Sequence, residues 1–377
     1  MASFLDKIEL FKARRLAVIR DDSSSLHRTV LFAPAENIEL EDVNLAIKIS
    51  ANNLFVAISP ARASAFLLSP MARPSTTVGK MALEKTSPAR LDLNICISVE
   101  AREGVTTGIS AADRMHTIRV LGEAQANPRK LIKPGHIFPV EVREGGVLVN
   151  HSLPEGALDI VKLSKFSDAA LFSDILNERG EFIDPDKCMK LCEENNLPQF
   201  TLAEITQYRL ENEILVTRMA EAKLPTKDGG ELVAIIYKSK IHEGEHLALV
   251  KGKIDPTKPT LTRIQLESTV ADVFGGNHPP SRFSLKKSLQ ELGQQESGVI
   301  IYLRRPFQGA LKEQVSNWEA FYNNSNSSML REYGIGSQIL LDLGVSKVEL
   351  LTNSPRDYSG VKSFGIEIVS QKPLTIV

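Results

Sequence analysis

The densest group of side chains that could bind an anion lies in Gly104–Arg119, which reads GVTTGISAADRMHTIR. The segment PGHIFPV follows it at Pro134–Val140. Small residues let backbone N–H groups approach an anion closely, and hydroxyl and guanidinium groups add further donors. The stretch therefore predicts a loop that holds a phosphorylated small molecule. A Gly/Thr turn that precedes an amphipathic helix is the competing interpretation of the same residues.

Length and composition limit the classes of protein to consider. The chain has 377 residues, of which 42% are hydrophobic and 24% charged, with a formal net charge of −1. This length exceeds one ordinary core, so two domains are expected, and the composition is typical of a globular protein. A nearly neutral chain lacks the electrostatic signature of nucleic-acid or anionic-membrane binding, so neither partner is expected.

The cysteines and the N-terminus indicate the compartment. Cys188 and Cys192 have helical i,i+4 spacing, and Cys96 lies in an alternating segment, so all three are predicted to be reduced, packed thiols. Met1–Leu16 carries mixed charges and lacks the apolar region of a signal peptide. No apolar run approaches the roughly 18 residues that span a bilayer. A cytoplasmic location is therefore expected.

Apolar periodicity predicts the elements around the anion-binding segment. Leu91–Ala101 alternates like a strand and leads into the loop, and Ala111–Leu121 reads as a helix whose first turn carries Asp113, favourable for the helix dipole. The EGG sequence within Val140–Val149 predicts a hairpin turn between two strands. Glu155–Leu163 is predicted to be a helix.

A change in composition separates the two halves of the chain. The charged segment Tyr208–Leu224 begins as a helix and is predicted to turn at Pro225, which places the domain boundary within roughly residues 208–218. The predicted fold is α+β, with two domains that each contain a mixed β-sheet and packed helices. The predicted domains are residues 1–212 and 213–377.

The motifs resemble a known family. Gly104–Arg119 with Pro134–Val140 resembles the substrate-holding part of 3,4-dihydroxy-2-butanone 4-phosphate synthase, and the second half resembles GTP cyclohydrolase II. The two occur fused in this order in a bifunctional enzyme of riboflavin biosynthesis, and the resemblance implies a homodimer. The motifs of the second half are LPTKDGG at Leu224–Gly230, EHLALVKG at Glu245–Gly252, GVIIYLR at Gly298–Arg304, REYGIGSQILLDLGV at Arg331–Val345 and LLTNSP at Leu350–Pro355.

The resemblance implies a Mg²⁺ site in the first domain that this chain does not reproduce. The family provides a Glu from the run DDEDRENEGD and a His from GHTEA, whereas Leu26 and Leu153 stand at these positions. An apolar side chain cannot bind Mg²⁺, so no metal is expected unless the site is rebuilt from Asp21, Asp22 and His151. The family's Cys and Arg in this region correspond to Ala57 and Asn150.

Other residues of the synthase motif are retained. Those that stand where the family holds phosphate and sugar are Thr106, Thr107, Ser110, Asp113, Arg114, His116, Thr117 and His136. Glu155 is present, and Asp174 stands where the family has a catalytic Glu, so His136, Glu155 and Asp174 are acid/base candidates. The retained residues either preserve a sugar-phosphate pocket without its metal or are kept because they build the loop.

The second domain departs from its family in the same way. The resemblance implies a Zn²⁺ ion held by three cysteines, but the matching positions carry Ser268, Pro279 and Ser281, so zinc is not expected. Arg331 stands where the family has a nucleophilic Arg, while Met329 replaces its Asp. Three family residues are retained, and we interpret them as residues of the scaffold: Arg263, Glu267 and Asp272. The resemblance implies a Lys-containing tail after this point, whereas the sequence stops at Lys372–Val377, so a C-terminally truncated second domain is expected.

Three functional hypotheses follow. The first is a non-catalytic paralogue that binds a sugar phosphate, nucleotide or flavin-pathway partner in a regulatory or scaffolding role. The second is a repurposed, metal-independent enzyme that acts on a pentulose phosphate through Asp174, His136 and Glu155. The third is residual synthase activity with a metal displaced to Asp21, Asp22 and His151. GTP cyclohydrolase II activity is not expected under any of them.

Overall fold

A computed structural model of the chain describes residues 3–22, 28–50, 52–71, 93–240, 244–274, 284–304, 311, 315, 326–352 and 365–374. For residues 284 and 326–333 it describes the backbone alone. The chain divides into two compact units, Met1–Thr206 and Gln207–Val377. The division falls a few residues before the predicted limit at residue 212.

The elements of both units are as follows. The described strands are β1 Ala17–Arg20, β2 Thr29–Pro34, β3 Phe55–Ile58, β4 Val99–Ala101, β5 Leu131–Glu141, β6 Ala169–Asp174, β7 Gln199–Thr201, β8 Val216–Thr226, β9 Gly230–Ser239, β10 Glu245–Lys251, β11 Thr260–Leu266, β12 Gly298–Leu303, β13 Lys347–Leu351 and β14 Glu367–Lys372. The described α-helices are α1 Phe4–Arg14, α2 Leu40–Ile49, α3 Pro60–Ala65, α4 Ala111–Gly122, α5 Leu153–Leu163, α6 Pro185–Glu194, α7 Leu202–Asn212, α8 Thr269–Asp272, α9 Ser284–Gly293 and α10 Asn326–Asp342. Short 3₁₀ turns lie at Pro128–Lys130 and Gly146–Leu148.

The described part of the first unit forms a mixed seven-stranded sheet in the order β4-β5-β3-β6-β2-β1-β7. β3 pairs with β5 and β1 with β7 in parallel, and the other neighbours are antiparallel. Helix α5 is buried from Leu153 to Val161. Most of these residues are apolar, and the two acidic ones, Glu155 and Asp159, accept hydrogen bonds. Gly156 of this helix lies so close to Leu202 that a Cβ would stand 2.7 Å from its side chain.

Two sequence predictions in the first unit are wrong. The hairpin expected within Val140–Val149 is absent from this described segment, because β5 ends at Glu141 and Gly146–Leu148 forms a 3₁₀ turn. The N–H of Val147 donates to Asp159 at 2.9 Å, which ties this turn to α5 instead of to a second strand. The strand expected over Leu91–Ala101 is confined to β4 and the isolated bridges of Ile95 and Cys96, while residues 91 and 92 lie outside the described part.

The described part of the second unit also forms a mixed seven-stranded sheet, in the order β14-β13-β11-β12-β10-β9-β8. The predicted turn at Pro225 is wrong, because this residue lies in β8 and pairs with Glu231. β8 is an edge strand, where a residue without an N–H is tolerated. The α+β class, with two domains of mixed sheets and helices, is confirmed. No helix in the described part of the chain is long and apolar enough to cross a membrane.

Candidate functional site

The loop before α4 is built around the carboxylate of Asp113. Ser110 caps α4 by accepting the N–H of Asp113 at 3.1 Å. Asp113 accepts the N–H and the hydroxyl of Thr106 at 3.2 and 2.8 Å, and the N–H of Gly108 at 3.0 Å. The hydrogen bond from the Thr106 hydroxyl lowers the pKa of Asp113; burial opposes this shift, and the two backbone N–H groups add to it. These donors are thus directed to an internal anion.

The other predicted binding residues of α4 differ in their accessibility. Thr117 is fully buried, and its hydroxyl accepts the N–H of Ala101 at 3.0 Å. Arg114 is buried and donates to the Asn52 side chain, whereas its Nε has no hydrogen-bond partner among the described residues. Thr107 is exposed, and His116 is half-buried. The segment therefore combines residues that build the loop with residues that reach solvent.

A cleft of about 540 Å³ lies beside this loop. Its lining residues are Ala101, Arg102, Glu103, Gly104, His116, Val120, Glu123, Arg129 and Lys130. Arg102 is held by the carbonyl of Arg129 at 2.7 Å, and Lys130 forms an ion pair with Glu123 at 2.7 Å. The guanidinium of Arg129 has no partner within the described part of the chain. The volume falls in the range of small-molecule sites, and cations outnumber carboxylates in the lining.

His136 lies on β5 and is paired with a carboxylate that the sequence analysis did not identify. Its Nδ1 is 2.6 Å from Oε2 of Glu100, a residue of β4 that is only 5% exposed. Glu100 also accepts the hydroxyl of Thr117 at 3.2 Å. In the sequence Glu100 looks like one more polar residue of an alternating segment, so no local signal distinguishes it. Only the antiparallel pairing of β4 with β5 brings it to His136.

The carboxylate of Asp174, at the end of β6, forms an ion pair with a guanidinium. Arg28 donates through Nε and NH2 to the two carboxylate oxygens, the second at 2.8 Å. Asp174 is 8% exposed and Arg28 9%. Arg28 falls on the last glutamate of the family run DDEDRENEGD when that run is aligned from Asp21. The replacement of a family glutamate by Arg28 is therefore visible in the sequence, whereas the ion pair of Arg28 with Asp174 could not be predicted from it.

Glu155 has a structural role at the beginning of α5. It accepts the Ser152 hydroxyl, the Asn150 side-chain amide at 2.7 Å and the N–H of Arg143 at 3.3 Å. Leu153, at the position of the family's metal-binding His, is buried at 3% exposure. A buried leucine offers no ligand atom, so the family's Mg²⁺ position does not fit this side chain. Leu26, at the other family position, lies outside the described residues.

The three predicted acid/base residues are not joined in one cluster. His136 bonds to Glu100, Asp174 to Arg28, and Glu155 to groups around its own helix end. No hydrogen bond links the three side chains to each other in the described ranges. Their roles in catalysis therefore stay predictions, and of the three His136 is the one that is substantially exposed.

One group of possible metal ligands lies elsewhere in the first unit. Asp21, Asp22 and His151 each offer a ligand atom, and these atoms lie within 4.8 Å of one another. Asp22 accepts the N–H of Ala203 at 3.3 Å, and His151 lies 3.4 Å from the Thr206 hydroxyl. Two carboxylates suit Mg²⁺, which commonly keeps several waters and takes one or two protein carboxylates. These are the residues named in the sequence analysis for a rebuilt site.

The described residues of the second unit do not supply thiolates at the zinc positions. Ser268 is buried and caps α8 by accepting the N–H of Ala271 at 3.4 Å, while Pro279 and Ser281 lie outside the described residues. Asp272 accepts the Tyr302 hydroxyl at 2.7 Å, and burial raises its pKa. Arg331 lies on α10, but its side chain, like that of Met329, is outside the described part.

Comparison with known proteins gives the family. Residues 6–208 match the family model of 3,4-dihydroxy-2-butanone 4-phosphate synthase, and residues 217–373 match that of GTP cyclohydrolase II. The chain is 31% identical to riboflavin biosynthesis protein RibBA of Chlorobium phaeovibrioides over 374 residues, 96% of this chain and 88% of the relative. It is 33% identical to the monofunctional riboflavin biosynthesis protein RIBA 2, chloroplastic, of Arabidopsis thaliana over 302 residues, 78% of this chain and 62% of the relative.

A solved structure extends the match to the whole chain. RibBX from A. baumannii, described as a two-domain 3,4-dihydroxy-2-butanone 4-phosphate synthase, has a TM-score of 0.79 and 25% identity, and the match covers 100% of both chains. The two domains, in this order, define a bifunctional architecture. The chain belongs to the riboflavin-biosynthesis family in which a 3,4-dihydroxy-2-butanone 4-phosphate synthase domain precedes a GTP cyclohydrolase II domain.

Proposed function

We propose that this chain is a binding member of its family that lacks the usual Mg²⁺-dependent synthase and GTP cyclohydrolase II activities. Its first unit binds a phosphorylated small molecule, and the protein has a regulatory or scaffolding role in or near flavin metabolism. A homodimer and a cytoplasmic location belong to the same proposal. The Arabidopsis relative is named monofunctional, which supports the idea that activities are lost individually in this family.

The Arg28–Asp174 ion pair is the observation that carries the proposed loss of synthase chemistry. A general acid or base must exchange a proton with a reacting group within hydrogen-bond reach. Both oxygens of Asp174 already accept bonds from Arg28, and both side chains are buried. Proton transfer through Asp174 would require this bidentate, charge-assisted contact to break.

The cleft beside Gly104 supports ligand binding without that chemistry. Arg129 offers a guanidinium that has no partner among the described residues, and His116 and Gly104 connect the cleft to the anion-binding motif of the sequence. A phosphate ester placed there would meet charge-assisted donors and the apolar Val120 among the lining residues. The ancestral phosphate-binding segment thus still borders a basic cleft of suitable size.

Ligand binding and catalysis can be tested in one set of samples. We expect ribulose 5-phosphate to raise the melting temperature of the full chain, and Arg129→Gln to weaken this shift. Arg218→Gln, an exposed substitution in the other unit, is the matched control and should leave the shift unchanged.

Incubation with ribulose 5-phosphate and Mg²⁺, followed by NMR, should yield no formate. Formate production at a steady rate would contradict the proposed loss of activity.

The Asp21–Asp22–His151 group favours a second candidate, which is residual synthase activity with a displaced metal. These residues would hold the ion, and Mg²⁺ would supply polarisation of the sugar's oxygens. This candidate predicts that Mg²⁺ raises the melting temperature of the chain and that Asp22→Asn reduces both this shift and formate production. A Mg²⁺ response identical in wild type and Asp22→Asn would exclude this site.

A further inference from the structure

We propose that Glu100 is the positioning residue of His136, and that it leaves Nε2 of this imidazole as the atom offered to a phosphate ester or sugar hydroxyl. This goes beyond the proposed function, which places a ligand in the cleft lined by His116 and Arg129 and assigns no role to Glu100 or to His136, neither of which lines that cleft. The pair provides the first unit with an accessible hydrogen-bonding and proton-carrying group.

The two oxygens of Glu100 have separate partners. Oε1 lies 3.2 Å from the hydroxyl of Thr117, which shares its single proton with the carbonyl of Asp113 at 3.1 Å. Oε2 lies 2.6 Å from Nδ1 of His136. A carboxylate accepts but does not donate, so Nδ1 of His136 must carry the proton in this contact. The neutral imidazole then has Nε2 as its unprotonated nitrogen.

The surroundings of Glu100 fix its carboxylate in place. Gly108 has φ +78°, and a Cβ at this position would stand 2.0 Å from Oε2 of Glu100, so the loop lies directly against the carboxylate. Thr117 is itself held, because it accepts the N–H of Ala101. Glu100 is therefore confined by β4, by α4 and by the loop that joins them. A carboxylate confined in this way can orient an imidazole as the outer-shell carboxylates of metal-binding histidines do.

Accessibility separates this pair from the other acid/base candidates. The side chain of His136 is 42% exposed, while that of Glu100 is 7% exposed. The buried partner thus fixes one ring nitrogen, and the exposed ring can meet a ligand with the other. Asp174 and Glu155, in contrast, are buried and have their oxygens bonded to neighbouring groups of the protein.

The tautomer of His136 tests the proposal directly in the full chain. Long-range ¹H–¹⁵N NMR is recorded near pH 8.5, about two units above the ordinary imidazole pKa, and the His136 signals are assigned by their loss in His136→Gln. We expect the wild-type ring to be in the Nδ1–H form. A wild-type ring in the Nε2–H form would overturn the proposal, whether or not any variant folds.

Two substitutions distinguish positioning from a general structural role. Glu100→Gln keeps an oxygen that can accept the Nδ1–H, so it should retain the tautomer, whereas Glu100→Leu should lose it. His116 serves as an internal control, since no described carboxylate bonds to it, and its signals should not change form. If the Nδ1–H form persists in a folded Glu100→Leu variant, Glu100 does not position the ring.

Ligand binding provides a separate readout. In a chain that binds ribulose 5-phosphate through His136, His136→Gln and Glu100→Leu should weaken binding to a similar extent, and Glu100→Gln should weaken it less. Equal, undiminished affinity in all three variants would remove the ligand-facing role of Nε2. A wild-type chain that binds no ribulose 5-phosphate contradicts the proposed function, whereas the tautomer result would still decide whether Glu100 positions His136.

Discussion

Two buried carboxylates in the first unit have opposite consequences for function. Asp174 is bonded at both oxygens to Arg28, and both members of that pair are buried. Glu100 is equally buried, but its partner His136 is substantially exposed. A guanidinium stays protonated at any ordinary pH, whereas an imidazole can exchange its proton. In the Asp174 pair, two buried charges therefore neutralise each other, whereas the Glu100 pair includes an imidazole side chain that is 42% exposed.

The largest effect is expected from breaking the buried Arg28–Asp174 ion pair. Arg28→Leu leaves the Asp174 carboxylate buried without its cation, which should lower the free energy of unfolding by about 3–5 kcal/mol. Urea denaturation followed by circular dichroism measures the change. In the double variant Arg28→Leu/Asp174→Leu most of the loss should be recovered, because no buried charge then lacks a partner.

A surface pair provides the control for this prediction. Lys12 and Glu9 form an exposed ion pair on α1, so Lys12→Met should cost less than about 1 kcal/mol. An Arg28→Leu variant as stable as Lys12→Met would show that the Arg28–Asp174 pair does not act as a buried charge pair. The proposed loss of acid/base chemistry at Asp174 would then lose its main support.

The contrast between the pairs shows how far sequence reasoning reached. The family, the α+β class and the helix that begins after Ser110 follow from local motifs and periodicity. The partner of Asp174 is 146 residues away along the chain, and Glu100 meets His136 only through strand pairing, so neither contact has a local signature. The hairpin expected at EGG was wrong for a similar reason. Its turn is held by Asp159, a residue of the following helix.

The contact between the loop at Gly108 and the carboxylate of Glu100 can be tested by adding one methyl group. Gly108→Ala should lower the free energy of unfolding by roughly 2–3 kcal/mol, because the strain of a positive φ adds to a clash with the Glu100 carboxylate. Gly180→Ala is the matched control, since Gly180 has φ +77° but nothing within 4 Å of an added Cβ. It should cost only about 1–2 kcal/mol from the backbone strain.

The difference between these glycine variants measures the contact with Glu100. Gly108→Ala should also disturb the His136 ring signals, while Gly180→Ala should leave them unchanged. Equal stability losses and unchanged His136 signals in both variants would mean that the loop does not confine the carboxylate.

A smaller effect is expected at the helix cap of the same loop. Ser110→Ala removes the acceptor of the Asp113 N–H and should cost about 1 kcal/mol. Ser64→Ala, an exposed position within α3, should be neutral or slightly stabilising because alanine has the higher helix propensity. Thermal unfolding of the two variants gives the comparison. A Ser110→Ala variant as stable as Ser64→Ala would argue that the cap does not define the loop.

The smallest expected effect is a change in pH dependence at Asp113. Hydrogen bonds from Thr106 and Gly108 hold the folded-state pKa of Asp113 below its unfolded value, so this residue stabilises the fold above about pH 4. That contribution is lost as the pH falls through the folded-state pKa. Asp113→Asn should therefore lose less stability than wild type between neutral and acid pH, as measured by the melting temperature across the range.

Asp42 supplies a control of opposite sign. Burial raises the pKa of Asp42 against the opposing effect of Arg14, so its contribution is most favourable at low pH and declines as the pH rises. Asp42→Asn should consequently be more sensitive to acid than wild type, whereas Asp113→Asn should be less sensitive. Parallel pH profiles for the two variants would show that the donors of the loop are not directed to Asp113. Those donors would then be open to an external phosphate, and the loop itself, instead of the cleft beside it, would be the place to look for the ligand.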